Sequence, residues 1–487
     1  MSATETTQAA SQGAQLRRRP AVKQAVDTLV AETRQASEAI TGPRAPIAEL
    51  KASYDDILER SGAVKGRGLL YPYLGSGLGN GALVELEDGS VKWDMICGIG
   101  VHFFGHSDAD MTRVQIEAGL DDTAQQGNLQ SNFEAYRFGE LLLQQAQKRS
   151  NLKHAFLTTS GAMANESALK VCYQKHEPAS RVLAFQDCFM GRSITMAQIG
   201  DSAGGRQGIP LNTHVDYMPF YDEVAADRMG VGRFTDMALA HLQSYLDRYP
   251  KQHACFIFEL VQGEGGFNTA KRDYFKALME CCKAHGVAVW DDEIQSFGRT
   301  TEMFAYETYD LGEYVDVFCV GKMTQVCATL YTEAYNPKPG LLSGTFTSSS
   351  SDFRVGCRVI ERLAEGGYYG ENGRIAQHHA AFREQVKALA AKHPDWFPKV
   401  ESGVMQQGVT DICGGIGGMM RFTPFGGDKA KIVKACRACY DEHVVLFYCG
   451  HGPFHMRMLP PLGVMNLEDW PRVFECVERG LAAAAKG

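Results

Sequence analysis

The chain has 487 residues, of which 45% are hydrophobic and 22% are charged, as in an ordinary globular protein. This length predicts two or three lobes rather than one small core. The net charge of -8 and the pI of about 6.0 argue against nucleic acid or an anionic membrane as the main partner. No apolar run reaches the roughly 18 residues that a membrane-spanning helix needs.

The N-terminus lacks a secretory pattern, because no apolar segment follows a basic start. Residues 1–20 are polar and contain three arginines at 17–19. This composition leaves a transit peptide as an alternative, but a flexible tail is the simpler prediction.

The 14 cysteines do not have the spacing of a small disulfide scaffold. Free thiols in a large chain suit a reducing compartment, so we expect a cytoplasmic protein. Cys436 and Cys439 form a C-x-x-C in the helix-like stretch KIVKACRACYDEH, and Cys449 and His451 follow. A zinc site is conceivable there, but a second clean ligand pair is absent, so we predict helix packing and no metal.

The first part of the chain predicts helices and a hairpin. Residues from about 21 to 61 contain few helix breakers and predict a helix. The later stretch ALVELEDGSVKWDM places Asp88-Gly89 between two alternating runs, which predicts a hairpin. From about 112 to 150 the pattern is helical again.

In the middle of the chain, short apolar runs alternate with helical stretches. The strand candidates are HAFLTT, RVLAFQ, HVDYMPF, ACFIFEL, VAVWDDE and VDVFCVG. Helical stretches such as NESALKVCYQKH and DYFKALMECCKAH lie between several of them. Strands that are hydrophobic on both faces and alternate with helices predict an α/β fold with a mostly parallel mixed sheet covered by helices.

After about residue 352 the pattern changes to a long helix, a glycine-rich strand (DICGGIGGMMRF), more helix and a final strand near 455–459. This predicts a smaller α+β domain that the N-terminal and C-terminal segments build together. The predicted parts are a tail over 1–20, an N-terminal segment over 21–100, a large domain over 101–352 and a C-terminal small domain over 353–487.

Ligands of open α/β sheets bind at the carboxyl ends of the strands, so the residues after each strand candidate are the candidate site. Ser160-Gly161-Ala162 follow HAFLTT and begin a helix, where backbone N–H groups favour a phosphate, although a plain helix cap explains them as well. Phe189 and Arg192 follow RVLAFQ. An aromatic and an arginine suit a flat ring and a carboxylate, whereas a core phenylalanine and a surface arginine are the simpler interpretation.

The next three strand ends carry charged residues. Glu264 stands between glycines after ACFIFEL, in a tight turn that faces either a cleft or the surface. Asp292 follows VAVW, where a carboxylate is costly unless it meets a cation or lies in a solvated loop. Lys322 follows VDVFCV, where desolvation lowers the pKa of an amine and favours Schiff-base chemistry, although a lone lysine there is more often at the surface. Together these residue types form the set that pyridoxal phosphate chemistry requires.

This ordered set resembles the class III aminotransferases of fold type I, from about residue 70 to the C-terminus. The motifs that carry the resemblance are Ser160-Gly161-Ala162, Phe189-Met190-Gly191-Arg192, Gln262-Gly263-Glu264-Gly265-Gly266, Asp292-Glu293-Ile294-Gln295, Lys322, Thr345-Phe346, Arg457 and Pro460-Pro461-Leu462. Each motif alone is weak, but their common order is specific. The resemblance implies a pyridoxal-phosphate-dependent aminotransferase whose large domain binds the cofactor.

The resemblance implies a role for each residue around the cofactor ring. Lys322 would hold the cofactor as a Schiff base and then move the proton. Asp292 would keep the pyridine nitrogen protonated, so that the ring can accept electrons. Phe189 would stack on the ring, and Gln295 would contact its phenolic oxygen.

The resemblance also implies how the cofactor phosphate is bound. Ser160, Gly161 and Ala162 would hold it at the start of a helix. Thr345 is similar to a residue that reaches the phosphate from the neighbouring subunit. The active unit would therefore be a homodimer or a dimer of dimers.

Three further residues indicate the substrates. Arg192 and Arg457 are similar to arginines that bind the two carboxylates of glutamate or 2-oxoglutarate. Glu264 is similar to a glutamate that masks the charge of Arg457 and swings away when a carboxylate arrives. The resemblance implies transfer from a terminal amine, such as lysine, ornithine, acetylornithine or 4-aminobutyrate, to 2-oxoglutarate. The stretch KMTQVC is also similar to lysine 6-aminotransferases.

Four positions depart from the family pattern. Met163 stands where an acidic residue is common, and Met190 where a histidine or tryptophan is common. The loop 292–299 is one glycine shorter. The run TSSSS at 347–351 replaces a glycine-asparagine turn, which weakens the assignment of Thr345.

Two alternatives remain open. An aminomutase, a racemase or a decarboxylase of the same fold would keep Lys322 and Asp292, but the combination of Glu264 and Arg457 with Arg192 favours transamination to 2-oxoglutarate. The second alternative is a non-catalytic protein that binds the cofactor. The presence of both Lys322 and Asp292 argues against it.

Overall fold

A computed structural model describes residues 10–398 and 412–486, and predictions for the first nine residues lie outside this part. Its helices are α1 (Gln12–Arg18), α2 (Pro20–Glu38), α3 (Ala48–Lys65), α4 (Cys97–Gly100), α5 (Ala109–Ala118), α6 (Phe133–Ala146), α7 (Gly161–Lys175), α8 (Ile194–Ile199), α9 (Glu223–Met229), α10 (Val231–Arg248), α11 (Arg272–Ala284), α12 (Ala305–Thr308), α13 (Ser350–Glu365), α14 (Arg374–Lys392), α15 (Lys429–Asp441) and α16 (Asp469–Ala485). Its strands are β1 (Gly75–Asn80), β2 (Leu83–Leu86), β3 (Val91–Asp94), β4 (Gln125–Gln126), β5 (Leu152–Thr158), β6 (Arg181–Phe185), β7 (His214–Met218), β8 (His253–Phe258), β9 (Ala288–Asp292), β10 (Val317–Val320), β11 (Cys327–Thr332), β12 (Ser348–Ser349), β13 (Cys413–Ile416), β14 (Met419–Phe422), β15 (Val444–Val445), β16 (Phe447–Cys449) and β17 (His455–Met458).

The largest sheet has seven strands in the order β5-β11-β10-β9-β8-β6-β7. The run from β10 to β7 is parallel, whereas β11 is antiparallel to both of its neighbours. The predicted α/β fold with a mostly parallel mixed sheet is therefore confirmed.

Apolar side chains cover both faces of this sheet. Phe256 and Phe258 of β8 belong to one hydrophobic cluster together with the apolar side of α11. Cys255 and Ile257, the alternate residues, belong to a second cluster with α7. The alternation follows from the two-residue period of a strand. Polar side chains that could bind a ligand are therefore expected at the strand ends.

Two four-stranded sheets lie outside the central one. The strands β1, β2 and β3 form the first, and β15 pairs in parallel with β3, with Val444 opposite Trp93. The second has the order β13-β14-β17-β16. The N-terminal and C-terminal segments therefore share one sheet. The domain boundaries at 20, 100 and 352 stay a prediction.

Several observed elements differ from the predicted ones. The helix predicted over 21–61 is two helices, α2 and α3, because the intervening stretch TGPRAP contains a glycine and two prolines. The helical stretch 112–150 is interrupted by β4. The long helix after residue 352 is α13 and α14. The glycine-rich strand is a hairpin of β13 and β14, whose turn places Gly417 at a φ of +57°.

The hairpin predicted around Asp88-Gly89 is confirmed, since β2 and β3 pair antiparallel and Gly89 has a φ of +76°. Residues 12–18 of the predicted tail form α1 instead, and Arg17 forms an ion pair with Asp121 at 2.9 Å. Cys436 and Cys439 are buried in α15.

No helix in the ranges 10–398 and 412–486 is both long enough and apolar enough to span a bilayer. Over the same ranges, no group of three or more histidine, cysteine, aspartate or glutamate side chains is arranged to hold a metal ion.

Candidate active site

The loops after β5, β6, β8, β9 and β10 meet at one end of the central sheet and line one cavity. These strands run in one direction, so their carboxyl ends lie side by side. The predicted site residues that line this cavity are Gly161, Ala162, Phe189, Glu264, Asp292, Gln295 and Lys322. Arg457 contacts two of them, whereas Ser160, Arg192 and Thr345 lie outside the lining.

Lys322 begins the turn after β10 and has a φ of +53°. A non-glycine residue in this left-handed region is strained, and such strain is common at functional sites. Burial lowers the pKa of Lys322 to about 8, although the Glu264 carboxylate acts in the opposite direction. A larger share of the amine is therefore neutral near pH 7, and the neutral amine is the nucleophile in Schiff-base chemistry.

Asp292 is the last residue of β9, and only 6% of it is exposed. Its Oδ1 accepts the Ile294 N–H at 3.0 Å, and its Oδ2 accepts a hydrogen from Asn165 Nδ2 at 2.8 Å. Burial raises the pKa of Asp292 to about 6, while these two hydrogen bonds and the charge of Lys322 oppose the rise. The carboxylate is therefore largely ionised near neutral pH despite its burial.

Arg457 on β17 is fully buried and forms an ion pair with Glu264. Its Nη2 donates to both carboxylate oxygens, at 2.9 and 3.0 Å. Gln295 joins the pair, because its Oε1 accepts from Arg457 Nη1 at 3.3 Å and its Nε2 donates to Glu264 Oε1 at 3.4 Å. Burial alone would raise the pKa of Glu264, but the charges of Arg457 and Lys322 outweigh it and the pKa is lowered.

A backbone contact links the segments that carry this pair. Glu264 lies in the turn after β8, and its carbonyl accepts the Gly450 N–H at 2.9 Å. Gly450 lies just after β16, and the next strand, β17, carries Arg457. In the same segment His451 bonds to Asp187, in the loop after β6, at 2.7 Å. The second small sheet is therefore attached to two loops of the central sheet.

The N-terminus of α7 lies at the edge of the cavity. The Ser160 hydroxyl accepts the Met163 N–H at 3.3 Å, so it caps the helix. A Cβ on Gly161 would lie 2.8 Å from Ile294 Cδ1, so a larger residue here would displace the Ile294 side chain. The free N–H groups of a helix N-terminus favour an anion such as a phosphate.

Three predicted residues lie closer to the surface. Phe189 is half-buried, and the guanidinium carbon of Arg192 lies 5.3 Å from its ring centroid. The Arg192 side chain is exposed. Thr345 is also exposed, and the adjacent Phe346 is 64% exposed.

The structure gives a reason for one departure from the family pattern. Ser348 and Ser349 form β12, which pairs with β4. The Ser349 hydroxyl accepts the Asp352 N–H and so caps α13. The serine run is therefore a short strand followed by a helix start.

Asn165 and Glu259 are among the lining residues that were not predicted. Asn165 binds Asp292, and Glu259 accepts the N–H groups of Phe189 at 3.0 Å and Gly263 at 3.2 Å. Burial raises the pKa of Glu259 to about 8, and the negative charge of Asp292 adds to the rise. A carboxylate inside the apolar run ACFIFEL was a signal for Glu259.

A larger cavity, of about 540 Å³, lies behind the same loops and is lined by residues such as Asp187, Gly265 and His451. It contains neither Lys322 nor Asp292. The smaller cavity is the candidate active site because it holds the titratable groups with strongly shifted pKa values.

Comparison with known proteins supports the resemblance. Residues 76–470 match the family model described as Aminotransferase class-III. A diaminobutyrate–2-oxoglutarate transaminase from Oceanobacillus iheyensis is 22% identical over 82% of this chain and 89% of its own. An acetylornithine aminotransferase from Rhodobacter capsulatus is 28% identical over 68% of this chain and 80% of its own.

Solved structures share the fold. A lysine aminotransferase from M. tuberculosis has a TM-score of 0.73 at 21% identity, covering 88% of this chain and 99% of its own. An ornithine aminotransferase from Toxoplasma gondii ME49 has a TM-score of 0.71 at 18% identity, covering 89% and 96%. At these identities the likeness shows the fold alone.

Proposed function

The chain belongs to the class-III aminotransferases, which have fold type I and depend on pyridoxal phosphate, and from that premise we propose that it transfers the amino group of a terminal amine to 2-oxoglutarate, giving glutamate. The observation that carries the proposal is the ion pair between half-buried Glu264 and fully buried Arg457, beside the cavity of Lys322 and Asp292. The relatives described above are named after diaminobutyrate, acetylornithine, lysine and ornithine. A terminal amine is common to these four compounds, which supports that donor class.

The residues of the cavity fit the cofactor. Asp292 is a buried, ionised partner for a protonated ring nitrogen, and Lys322 is an amine with a pKa of about 8. Gly161, at the start of α7, lines the cavity where helix N–H groups favour a phosphate, and Phe189 offers an aromatic face. We propose as cofactor-binding residues Ser160, Gly161, Ala162, Phe189, Asp292, Gln295 and Lys322, with Thr345 of the partner subunit.

When bound, pyridoxal phosphate supplies an aldehyde that reacts with amines and a protonated ring that draws electrons from the substrate carbon. In this proposal Lys322 binds the cofactor and moves the proton at the amine-bearing carbon of the substrate. Asp292 holds the proton on the ring nitrogen, and the burial of Asp292 excludes water from that contact.

The position of the Glu264 side chain would determine which carboxylate binds Arg457. With a terminal amine in the site, the Glu264 carboxylate stays on Arg457 and neutralises it. With glutamate or 2-oxoglutarate, a substrate carboxylate replaces Glu264, because a guanidinium forms charge-assisted hydrogen bonds with either carboxylate. Arg192, which is exposed at the edge of the site, would bind the second carboxylate.

We propose that the active unit is a homodimer. One chain encloses a cavity of about 60 Å³ here, well below the roughly 300 Å³ of typical ligand sites. The exposed Phe346 and Met163 line one groove beside the exposed Thr345. Apolar side chains exposed beside an incomplete site are typical of a surface that a second copy covers.

We further propose a cytoplasmic enzyme with small-molecule partners and no nucleic-acid or membrane partner. Buried cysteine thiols such as those of Cys255 and Cys319 suit a reducing compartment. The net charge of -8 opposes binding to nucleic acid or to an anionic membrane.

A donor screen tests the proposed activity. The purified protein with pyridoxal phosphate and 2-oxoglutarate is offered lysine, ornithine, N-acetylornithine, 2,4-diaminobutyrate, 4-aminobutyrate and simple amines, and glutamate is measured. A Lys322→Ala variant is the blank. Glutamate formation from at least one terminal amine supports the proposal. If none of the donors yields glutamate, the transfer to 2-oxoglutarate is wrong and an aminomutase becomes the better hypothesis.

A further inference from the structure

Asn165, on the first turns of α7, contacts Asp292 directly. Its Nδ2 donates one hydrogen to Asp292 Oδ2 at 2.8 Å and the other to the Met190 carbonyl at 2.8 Å. The residue is 1% exposed and lines the cavity of Lys322. The two acceptors define the amide orientation, because a flipped amide would place Oδ1 against a carboxylate and a carbonyl.

We propose that Asn165 is a positioning residue, which keeps the buried Asp292 carboxylate ionised and directed into the cavity. This inference rests on the proposed role of Asp292 as the partner of the ring nitrogen. A hydrogen bond donated to a carboxylate stabilises its charged form and so opposes the cost of burial. Asn165 is among the groups that hold the pKa of Asp292 at about 6.

A packing role alone does not explain this asparagine. Among the residues that the structure describes, the buried Oδ1 of Asn165 has no hydrogen-bond donor. A leucine has nearly the same shape and would remove this unpaired acceptor, which is costly inside a protein. Asparagine is favoured at this position by the two hydrogens that it donates.

The other groups near Asp292 do not replace the hydrogen bond from Asn165 in stabilising the ionised carboxylate. The positive charge of Lys322 lowers the pKa of Asp292, and the Ile294 N–H is the other hydrogen-bond donor to its carboxylate. Glu259 has a pKa of about 8, so it is mostly protonated near neutral pH and adds little charge. Four further titratable groups lie near Asp292, and burial raises the pKa of each. They are Asp291, Glu293, Cys319 and Cys327.

An Asn165→Leu variant tests the inference through cofactor affinity. Loss of one hydrogen bond to a charged acceptor shifts a pKa by about one to two units, so the pKa of Asp292 would rise to about 7 or 8. We expect the affinity for pyridoxal phosphate to fall by about two- to tenfold near pH 7 and the difference from the parent to disappear near pH 9. Affinity is measured by absorbance titration across this pH range.

The stability of the apo protein gives a readout that needs no cofactor. A carboxylate with a raised native pKa lowers stability as the pH rises, up to that pKa. In the parent this loss from Asp292 ends near pH 6, whereas in Asn165→Leu it would continue to about pH 7 or 8. We therefore expect the Tm of Asn165→Leu to fall relative to the Tm of the parent as the pH rises from about 6 to about 8.

A matched control separates this effect from general destabilisation. Leu169→Ala removes buried apolar volume from the same helix without touching Asp292, so its deficit in Tm and in affinity should not vary with pH in this way. Asn165→Ala removes the same two hydrogen bonds with a smaller side chain, and it should show a shift in the same direction. If Asn165→Leu does not fold, Asn165→Ala carries the test.

The outcomes are distinguishable. Deficits of the Asn165 variants that are independent of pH, like those of Leu169→Ala, would overturn the inference. If the parent binds no pyridoxal phosphate, the proposed function fails, and the Tm series of the apo protein still decides whether Asn165 sets the charge of Asp292. If Asp292→Leu binds the cofactor with the affinity of the parent, the proposed role of Asp292 is wrong, and the inference about Asn165 is wrong with it.

Discussion

Replacing Glu264 with glutamine removes the charge that neutralises Arg457. Arg457 is fully buried and donates to both Glu264 oxygens, so complete loss of the partner would cost about 3–5 kcal/mol. Glutamine keeps one acceptor oxygen, and we therefore expect a loss of about 1–3 kcal/mol in the free energy of unfolding. Urea unfolding of the apo protein measures this change.

The pH dependence of this loss has a definite sign. Because the pKa of Glu264 is lowered in the folded state, its ion pair contributes fully above the unfolded pKa of about 4.3. The contribution is lost as the pH falls through the folded pKa. The difference between Glu264→Gln and the parent should therefore be constant near neutral pH and shrink below about pH 4.

The same variant should separate the two half-reactions. An unmasked Arg457 opposes a terminal amine but still binds the carboxylate of glutamate. A penalty of about 1–3 kcal/mol corresponds to a loss of about 5- to 150-fold in kcat/KM for the terminal amine. The rate with glutamate should be nearly unchanged. Single-turnover absorbance measurements with each donor give the two values.

A surface variant provides the control. Glu478 is half-buried, forms an ion pair with Lys392 at 2.7 Å and bonds to His393 at 2.7 Å, so Glu478→Gln makes the same change of charge away from the cavity. It should leave both half-reactions at the parent rates. Equal losses with the terminal amine and with glutamate in Glu264→Gln would refute the masking role.

Three further predictions concern other parts of the site. Lys322→Ala should remove or shift the absorbance band of the bound cofactor with an unchanged far-UV circular dichroism spectrum; a band like that of the parent would contradict the role of Lys322. Arg192→Ala should lower kcat/KM for 2-oxoglutarate far more than for pyruvate, and equal losses would contradict a second carboxylate site. Phe346→Asp should convert a dimer into a monomer in analytical ultracentrifugation and weaken cofactor binding, because a charge would enter the proposed interface; an unchanged sedimentation coefficient would contradict that interface.

Much of the central sheet could be predicted because each strand carries a local signal. Apolar runs such as VAVW and VDVFCV end in charged residues, Asp292 and Lys322, and strand ends are where an α/β sheet places its ligands. The position of β11 could not be predicted in this way. It inserts antiparallel between β5 and β10, and such pairing depends on contacts between residues far apart in the chain.

The missed contact of Asn165 has a similar cause. In the stretch NESALKVCYQKH an asparagine resembles any polar residue near a helix start. Only the fold brings it to Asp292, 127 residues away in the chain. The exposure of Arg192 and Thr345 also depends on tertiary packing rather than on local pattern.

The hydrogen bond between the Gly450 N–H and the Glu264 carbonyl has a consequence for the speed of the proposed exchange. It holds the turn of Glu264 beside the segment that leads to β17, so the two backbones need not separate when the ion pair opens. Rotation about the side-chain bonds of Glu264 is then sufficient, and side-chain rotamers interconvert in picoseconds to nanoseconds when they are free to move. Even if burial slows this rotation by several orders of magnitude, it remains faster than a typical turnover of about 10 per second. Alternation between the two substrates would therefore not limit the rate of the enzyme.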